Sequence, residues 1–392
     1  MYTWYNSQDI KELAMALDQS AFTTKIATGS RFCNREAERA QLSRNIEKGE
    51  HTVIVAPRRF GKTSLVCQTL HEMKIDCTKI DLFCVVYAST VCEKITKGVS
   101  ELVKSLVPFT TKALTSIENC FKHINIILKS GKIELQANLS KNKESPIEQI
   151  IDVLSGLEKI AKQQKKRVVV FIDEFQDMLK TDQSNEIQAA IRGVAQHCEY
   201  VSFVFSGSSR NMLKKIFEDR NQPLYMLCQK IHLKKIPADD FTQHIQKLAK
   251  KKWKKIIENN VIDKILYLTQ CHPYYLNVLC DQVWESSDKF PTINTVNKGW
   301  DVCLSEQKDK LIADLEPLNT SRIKVLTTIA NRVTVAAPTG KEFVDEAGLA
   351  LATVQKTVQY LLEHDYIYED EKTKEIQLID PLLQRFIKES IS

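Results

Sequence analysis

Residues 53–64 read Val-Ile-Val-Ala-Pro-Arg-Arg-Phe-Gly-Lys-Thr-Ser, a short apolar run followed by a basic turn that contains a glycine. The run predicts a buried strand, and the turn leads into a helix that Lys62 and Thr63 would open. In this arrangement backbone N–H groups and the helix N-terminus attract phosphates, a lysine reaches the outer phosphates, and a hydroxyl holds Mg²⁺. The stretch therefore predicts a site for a nucleoside triphosphate, with Gly61 allowing close approach of the backbone.

The stretch departs from the usual pattern G-x-x-x-x-G-K-[ST] at one position, because Ala56 replaces the first glycine. A chance Gly-Lys-Thr in a surface turn is the competing interpretation. It explains neither the strand before the turn nor a second motif further along the chain. We call residues 57–64 the phosphate loop and predict that they contact the nucleotide; they are Pro57, Arg58, Arg59, Phe60, Gly61, Lys62, Thr63 and Ser64.

The second motif is the sequence of residues 168–176, Val-Val-Val-Phe-Ile-Asp-Glu-Phe-Gln. Five apolar residues in a row predict a strand buried on both faces of a parallel sheet. Asp173 and Glu174 follow, and alternation along a strand would point them in opposite directions. We expect Asp173 to order the Mg²⁺ shell and Glu174 to be the catalytic base, with Lys62 assisting at the phosphates. The alternative is an ordinary solvated strand end.

Composition limits the classes of protein to which the chain can belong. The chain has 392 residues, of which 43 % are hydrophobic and 27 % charged, enough for one large core and smaller ones besides. No apolar run approaches the roughly 18 residues of a membrane span, and the N-terminus lacks the layout of a secretory signal. The 11 cysteines include no C-x-x-C pair, which argues against a zinc site or a disulfide framework. These features predict a cytoplasmic protein that does not bind membranes.

The formal net charge of +6 includes one basic run, six lysines between residues 247 and 255 around Trp253. Such a face could hold the phosphates of a nucleic acid or an anionic membrane. The favoured interpretation is a solvated helix face, because Leu248, Ile256 and Ile257 supply an apolar stripe.

Strands and helices alternate over residues 31–236, which predicts an α/β fold with a parallel sheet covered by helices on both faces. Besides the strand before the phosphate loop, strands are predicted at 77–86, 168–172, 200–205 and 231–236.

Local structure can be predicted for three further segments. Residues 8–20 predict a short amphipathic helix, and Asn34 is expected to cap a helix that runs to Ile46. Residues 110–147 form a polar, lysine-rich insertion that is poorly patterned from 130 to 143, and we expect it to be mobile.

Five motifs occur along the chain in a characteristic order. They are Phe32-x-Asn34-Arg35-Glu36, the phosphate loop, Asp173-Glu174-Phe175-Gln176, Ser206-Gly207-Ser208 and His272-Pro273-Tyr274-Tyr275-Leu276. This order resembles the archaeal-type P-loop ATPases, relatives of the origin-recognition branch of AAA+ proteins and of the STAND ATPases. The resemblance covers residues 31–390. After an N-terminal extension at 1–30, it implies a P-loop core at 31–236, a helical lid at 237–315 and a winged helix-turn-helix domain at 316–392.

The resemblance also implies roles for single residues. Phe32 and Arg35 would line the adenine side of the pocket. Ser206 or Ser208 would be a polar sensor beside the γ-phosphate.

In the lid, the resemblance implies that the His272-Pro273 turn touches the base. Cys271 stands here where the group has a glycine. A buried histidine packed on Tyr274 remains an equal alternative for His272.

One departure from the group concerns turnover. An arginine often follows Pro-Leu-Tyr in these ATPases, whereas this chain continues with Met226. Such an arginine contributes roughly 10³ to 10⁵ to the turnover rate, so its absence predicts slow hydrolysis. Candidate substitutes are Arg58, Arg59, Arg210 and Arg220.

The last 70 or so residues show three helical patterns and then two short strands around a charged turn, typical of a winged helix. Residues 341–392 contain six basic and eleven acidic residues, a net charge of −5. Phosphate contacts supply most non-specific affinity for DNA, so a duplex repels such a surface. The charge predicts that this segment binds a protein, or the ATPase core itself, although DNA remains possible.

Together the motifs predict an ATP-binding switch with slow, Mg²⁺-dependent hydrolysis, whose nucleotide state acts through the lid and the winged helix. Two alternatives are an ATP-dependent DNA-binding regulator or replication-type loader, and a protein-interaction scaffold with a degenerate nucleotide site. Neither the oligomeric state nor the identity of a partner follows from the sequence.

Overall fold

The computed structural model describes residues 21–107, 117–129, 132–137, 145–286, 290–370 and 373–390. The helix expected at residues 8–20 lies outside them. The described residues form two compact units. The first unit contains residues 35–56 and 62–233, and the second contains residues 21–34, 57–61 and those from 234 onward.

A five-stranded parallel sheet organises the first unit. Its strands are β1 (His51–Val55), β2 (Asp76–Asp81), β5 (Val168–Asp173), β6 (Val201–Gly207) and β7 (Cys228–His232). Their order across the sheet is β2-β5-β6-β1-β7, and every neighbouring pair is parallel. All residues of β1, β5 and β6 are buried, as their apolar sequences require. The structure confirms the predicted α/β fold class.

The helices of the first unit are α1 (Glu36–Glu47), α2 (Lys62–Met73), α3 (Ala88–Leu106), α4 (Pro146–Gln163), α5 (Ser184–Ala195) and α6 (Arg210–Glu218), with a 3₁₀ helix at Phe175–Lys180. The helices between residues 88 and 218 pack on the apolar residues of the sheet.

Two predicted strand boundaries were wrong. β2 ends at Asp81 rather than at 86, because the Asp81 carboxylate accepts a hydrogen bond from the Phe83 N–H and Cys84 adopts a left-handed backbone. β7 spans Cys228–His232 rather than 231–236, since its five residues pair one by one with those of β1.

The expected Asn34 cap was also wrong. Arg35 is the N-cap residue of α1, with φ +66° and no capping bond from its side chain. Asn34 instead donates its side-chain amide to Asp240 within the second unit.

The insertion at 110–147 contains structure that its sequence did not indicate. Strands β3 (Ile124–Lys129) and β4 (Lys132–Ala137) form an antiparallel hairpin. Leu135 is buried, and its N–H donates to the Ser100 hydroxyl of α3 at 2.9 Å. The poor sequence pattern failed to predict this hairpin because its stability comes from packing on α3 and α4.

The second unit is mainly helical. Its elements are α7 (Ala238–Trp253), α8 (Asn259–Thr269), α9 (Pro273–Ser286), α10 (Ile293–Leu315), α11 (Thr320–Arg332), α12 (Lys341–Ala347), α13 (Leu351–Glu363), strands β8 (Ile367–Glu369) and β9 (Ile376–Leu378), and α14 (Pro381–Ser390). One apolar cluster runs through all these helices. The segment from α11 to α14, with the β8–β9 hairpin, has the helix and strand order of a winged helix.

The basic run lies at the end of α7; its six lysines are exposed and Trp253 is half-buried. Leu248 and Ile257 are buried as expected, but Ile256 is 61 % exposed, so its place in the apolar stripe was wrong. No helix within the described ranges combines the length and the apolar character that a bilayer span requires.

Candidate phosphate and magnesium site

The phosphate loop connects β1 to α2 and has the backbone geometry that its sequence requires. Gly61 has φ +87°, a conformation that other residues rarely adopt, and no described atom lies within 4 Å of the position of an added Cβ. Arg59 is also left-handed, with φ +64°. Lys62 opens α2, and its ammonium donates to the Ala56 carbonyl at 3.0 Å. The open space at Gly61 leaves room for a phosphate against the backbone.

Thr63 and Asp173, predicted to hold Mg²⁺, lie side by side in the first unit. The Thr63 hydroxyl donates to Asp173 Oδ2 at 3.0 Å, and the Ser206 hydroxyl hydrogen-bonds Oδ1 of the same carboxylate. Mg²⁺ prefers hard oxygen ligands and binds through one or two side chains together with phosphates and water. A hydroxyl at the start of α2 in contact with a carboxylate fits that requirement. Ser206, predicted as a γ-phosphate sensor, hydrogen-bonds the Asp173 carboxylate, and its contact with a γ-phosphate stays a prediction.

Lys79 was missed by the sequence analysis. It lies on β2, next to β5, and its ammonium is 2.9 Å from Asp173 Oδ2. Burial lowers the pKa of Lys79, but the charge and hydrogen bond of Asp173 outweigh burial and leave the pKa above its usual value. Burial likewise raises the pKa of Asp173, yet Lys79, Ser206 and Lys62 hold it below the usual value. The carboxylate is therefore ionised.

Glu174 follows directly, with a left-handed backbone at φ +50°. Its Oε2 accepts hydrogen bonds from the Ser208 hydroxyl at 2.8 Å and from the Gln176 side-chain amide at 2.6 Å. Gly207 makes this network possible, because a Cβ there would lie 2.0 Å from Gln176 Oε1. The predicted base is thus hydrogen-bonded to two side chains, and its turn away from Asp173 agrees with their different predicted roles.

The residues predicted for the adenine side are placed as follows. Arg35 is buried in the first unit and forms a 3.0 Å ion pair with Glu38 of α1. Phe32 is half-buried and belongs to the second unit. Pro57 is buried and Ser64 half-buried. Their contact with a nucleotide stays a prediction.

Part of the phosphate loop packs within the second unit. The Phe60 ring meets the buried His272 ring edge to face at 4.8 Å, and the Arg59 guanidinium lies 4.0 Å from the centre of the Tyr274 ring. Arg58 is exposed. Pro273 is the first residue of α9, where its missing N–H costs nothing. The structure thus brings Arg59 and Phe60 together with the turn that the resemblance placed in the lid.

His272 is 1 % exposed and also packs on the Tyr275 ring at 5.0 Å, while its Nδ1 accepts the Tyr274 N–H at 3.2 Å. These contacts are those of a buried structural histidine. They leave a contact of His272 with the base as a proposal.

A pH dependence of stability follows. Burial, together with the charges of Lys235 and Arg59, lowers the pKa of His272 from 6.5 to about 3. Below pH 6.5 this histidine is protonated in the unfolded chain but stays neutral in the folded protein. The free energy of unfolding therefore falls as the pH falls. We expect this histidine to lower the free energy of unfolding by up to about 1.4 kcal/mol for each pH unit between pH 6.5 and 3.

Urea unfolding at pH 7.0 and 5.0 measures this effect. His272→Asn should lose less stability between the two pH values than the unchanged protein. His244, whose pKa burial lowers to about 4, keeps part of the dependence in that variant. Equal losses in both proteins would contradict the assignment to His272.

Comparison with known proteins agrees with the site geometry. Residues 32–279 match the family described as an ATPase domain predominantly from Archaea, and residues 312–389 match a probable winged helix domain. No curated protein sequence matches the chain. Among solved structures, a Walker-type ATPase of Pyrococcus abyssi is similar at 15 % identity and a TM-score of 0.68, covering 93 % of this chain and 99 % of that one.

The Aeropyrum pernix ORC2 protein, in its ADPNP-ADP complexes, is similar at 14 % identity and a TM-score of 0.60, covering 95 % of this chain and 96 % of that one. At such identities the likeness shows the shared fold. The family match spans well over half of the chain and includes the phosphate loop, Asp173 and Glu174. The chain therefore belongs to the family of ATPase domains found predominantly in Archaea.

Proposed function

We propose that the protein is an ATP-controlled molecular switch that hydrolyses ATP slowly with Mg²⁺. The observation that carries the proposal is the contact between Thr63 and Asp173 at the start of the helix that Lys62 opens. This arrangement presents a cation, a helix N-terminus and two oxygen ligands to a triphosphate. Family membership supports an ATPase, and the roles of single residues are part of the proposal.

In this mechanism Lys62 and the loop backbone neutralise the outer phosphates; Thr63 and Asp173 would hold Mg²⁺, which would screen the phosphate charge. Glu174 accepts the proton of the attacking water. The hydrogen bonds from Ser208 and Gln176 are both accepted by Oε2 of this carboxylate, and they hold it in place.

Met226, the residue after Pro223-Leu224-Tyr225, supports slow hydrolysis. Met226 occupies the position of the group's frequent arginine, and its side chain is 76 % exposed. Arg192 donates to the carbonyls of Pro223 and Tyr225, so this arginine holds the turn instead. Without an added cation the transition-state charge is less well stabilised.

The switch is proposed to act through contacts inside the second unit. Phe60 packs on His272, His272 packs on Tyr275, and the Tyr275 hydroxyl donates to Asp380, which caps α14. A loop residue next to the phosphates is thereby connected to the winged helix by three successive contacts. The division into core, lid and winged helix at 31–236, 237–315 and 316–392 stays a proposal that rests on the resemblance.

The winged helix is proposed to bind a protein. The exposed face of α13 presents Leu351, Gln355, Lys356 and Gln359, and Gln359 is hydrogen-bonded to Glu363. A helix that reads bases needs several donors aimed at the groove and basic neighbours on the phosphates. Gln355 and Gln359 could read bases, but Lys356 is the one basic residue of α13 and the segment is acidic, so the need for basic neighbours is not met.

We expect Lys356→Glu to leave binding of duplex DNA unchanged, because this helix is not proposed to enter the groove. Fluorescence anisotropy of a labelled duplex, over a range of salt concentrations with ATP and Mg²⁺, measures it. Lys254→Glu in the exposed basic run is the matched control. If Lys356→Glu alone removed salt-dependent binding, the DNA-binding alternative would replace the protein-binding one.

The direct test of the switch is purification of the full chain with its bound partners in ATP and in ADP. A partner retained in only one nucleotide state supports the proposal. Retention that ignores the nucleotide would favour the scaffold alternative.

A further inference from the structure

Lys79 and Thr63 meet on one oxygen atom. Asp173 Oδ2 lies 2.9 Å from the Lys79 ammonium and 3.0 Å from the Thr63 hydroxyl. The other carboxylate oxygen is hydrogen-bonded to Ser206. Asp173 is 6 % exposed and the Lys79 side chain is 37 % exposed, so the ion pair is shielded from water mainly on the Asp173 side.

A cation held by Thr63 and Asp173 must approach the same oxygen. An ammonium and Mg²⁺ repel each other strongly at such separations, and a carboxylate oxygen that faces both must divide its charge between them. Lysine is a compact, well hydrated charge on a flexible stem, so it can leave the carboxylate. We propose that Lys79 is a built-in cation that competes with Mg²⁺ for Asp173 and thereby raises the Mg²⁺ concentration needed to complete the ATP site.

The structure contains a second partner for a displaced Lys79. Asp81 lies two residues further along β2, on the same face, exposed at the end of the strand. Its charge already acts on Lys79, although more weakly than that of Asp173. Turning toward Asp81 would keep the ammonium paired when Asp173 binds the metal. The inference rests on the proposed function, because it assumes that Thr63 and Asp173 hold Mg²⁺.

Direct metal binding tests this competition without relying on turnover. Mn²⁺ takes the same oxygen ligands and can be counted by electron paramagnetic resonance. The full chain, saturated with ADP, is titrated with Mn²⁺. Lys79→Met should lower the Mn²⁺ dissociation constant by roughly tenfold, since the competing charge is removed.

Lys79→Arg should act in the opposite direction. A guanidinium binds a carboxylate with two parallel hydrogen bonds and holds it more firmly than an ammonium does. We expect the Mn²⁺ dissociation constant of this variant to rise by a few fold. This variant keeps the charge, so it tests the inference even if Lys79→Met does not fold.

Lys104→Met is the matched control. Lys104 also belongs to the first unit and pairs with Glu101 and Glu134 on α3 and the hairpin. Its removal deletes one charge and one ion pair elsewhere, and the Mn²⁺ dissociation constant should not change. An equal shift in this control would reduce the Lys79 effect to net charge and overturn the inference.

The outcomes separate the inference from the proposed function. If the proteins bind ADP and Lys79→Met binds Mn²⁺ no more tightly than the unchanged chain, the inference is wrong and the function stands. If no protein binds ADP or ATP, with or without metal, the proposed function is wrong and the inference falls with it.

Discussion

Lys62→Ala is expected to weaken ATP binding by at least about 100-fold. The outer phosphates lose the one cation placed at the start of α2, and a charge-assisted hydrogen bond cannot be replaced by a methyl group. Isothermal titration calorimetry with ATP and Mg²⁺ measures the loss. Thermal unfolding without nucleotide should show that the variant is folded.

The control for this prediction is Lys104→Ala. It removes a lysine of the same unit that forms ion pairs with Glu101 and Glu134. ATP affinity should be unchanged in this protein. An affinity of Lys62→Ala within a few fold of the original would contradict the role of the phosphate loop.

Glu174→Gln should retain ATP and slow its cleavage by roughly 10² to 10⁴, the usual contribution of a general base. The amide has the shape of the carboxylate and can still accept from the Ser208 hydroxyl, so the local structure is preserved. It cannot take a proton from water. Single-turnover hydrolysis, together with nucleotide binding by calorimetry, separates the two effects.

Glu186→Gln is a suitable control, since Glu186 is an exposed carboxylate on α5 of the same unit. Its turnover should equal that of the original protein. If Glu174→Gln lost binding as severely as Lys62→Ala, Glu174 would have a structural role and the base would have to be sought elsewhere.

The sheet could be predicted where a strand is buried on both faces. The continuous apolar run at 168–172 predicts a strand in the centre of the sheet, and it forms β5, between β2 and β6. Edge strands were less predictable. β7 has two exposed residues, Gln229 and Lys230, so its bounds depend on pairing with β1 rather than on its own sequence.

The candidate site likewise contains residues that the sequence predicted and residues that it did not. The phosphate loop and the Asp173-Glu174 pair are local patterns, and the sequence contains them whole. Lys79 and Gln176 were not assigned roles, because their partners depend on which strands are neighbours and on how the chain turns after β5. Lysine two residues before an aspartate at the end of β2 was a possible signal, but only the strand order places it beside Asp173.

The Tyr275–Asp380 hydrogen bond has an evolutionary consequence. Burial raises the pKa of Asp380 and makes its carboxylate costly to leave without a donor, while the same carboxylate caps α14 through the N–H groups of Leu382 and Leu383. A relative that loses the hydroxyl at position 275 would therefore keep the aspartate only at a cost in stability. We expect the two positions to covary across the family, although more than a hundred residues separate them in the sequence.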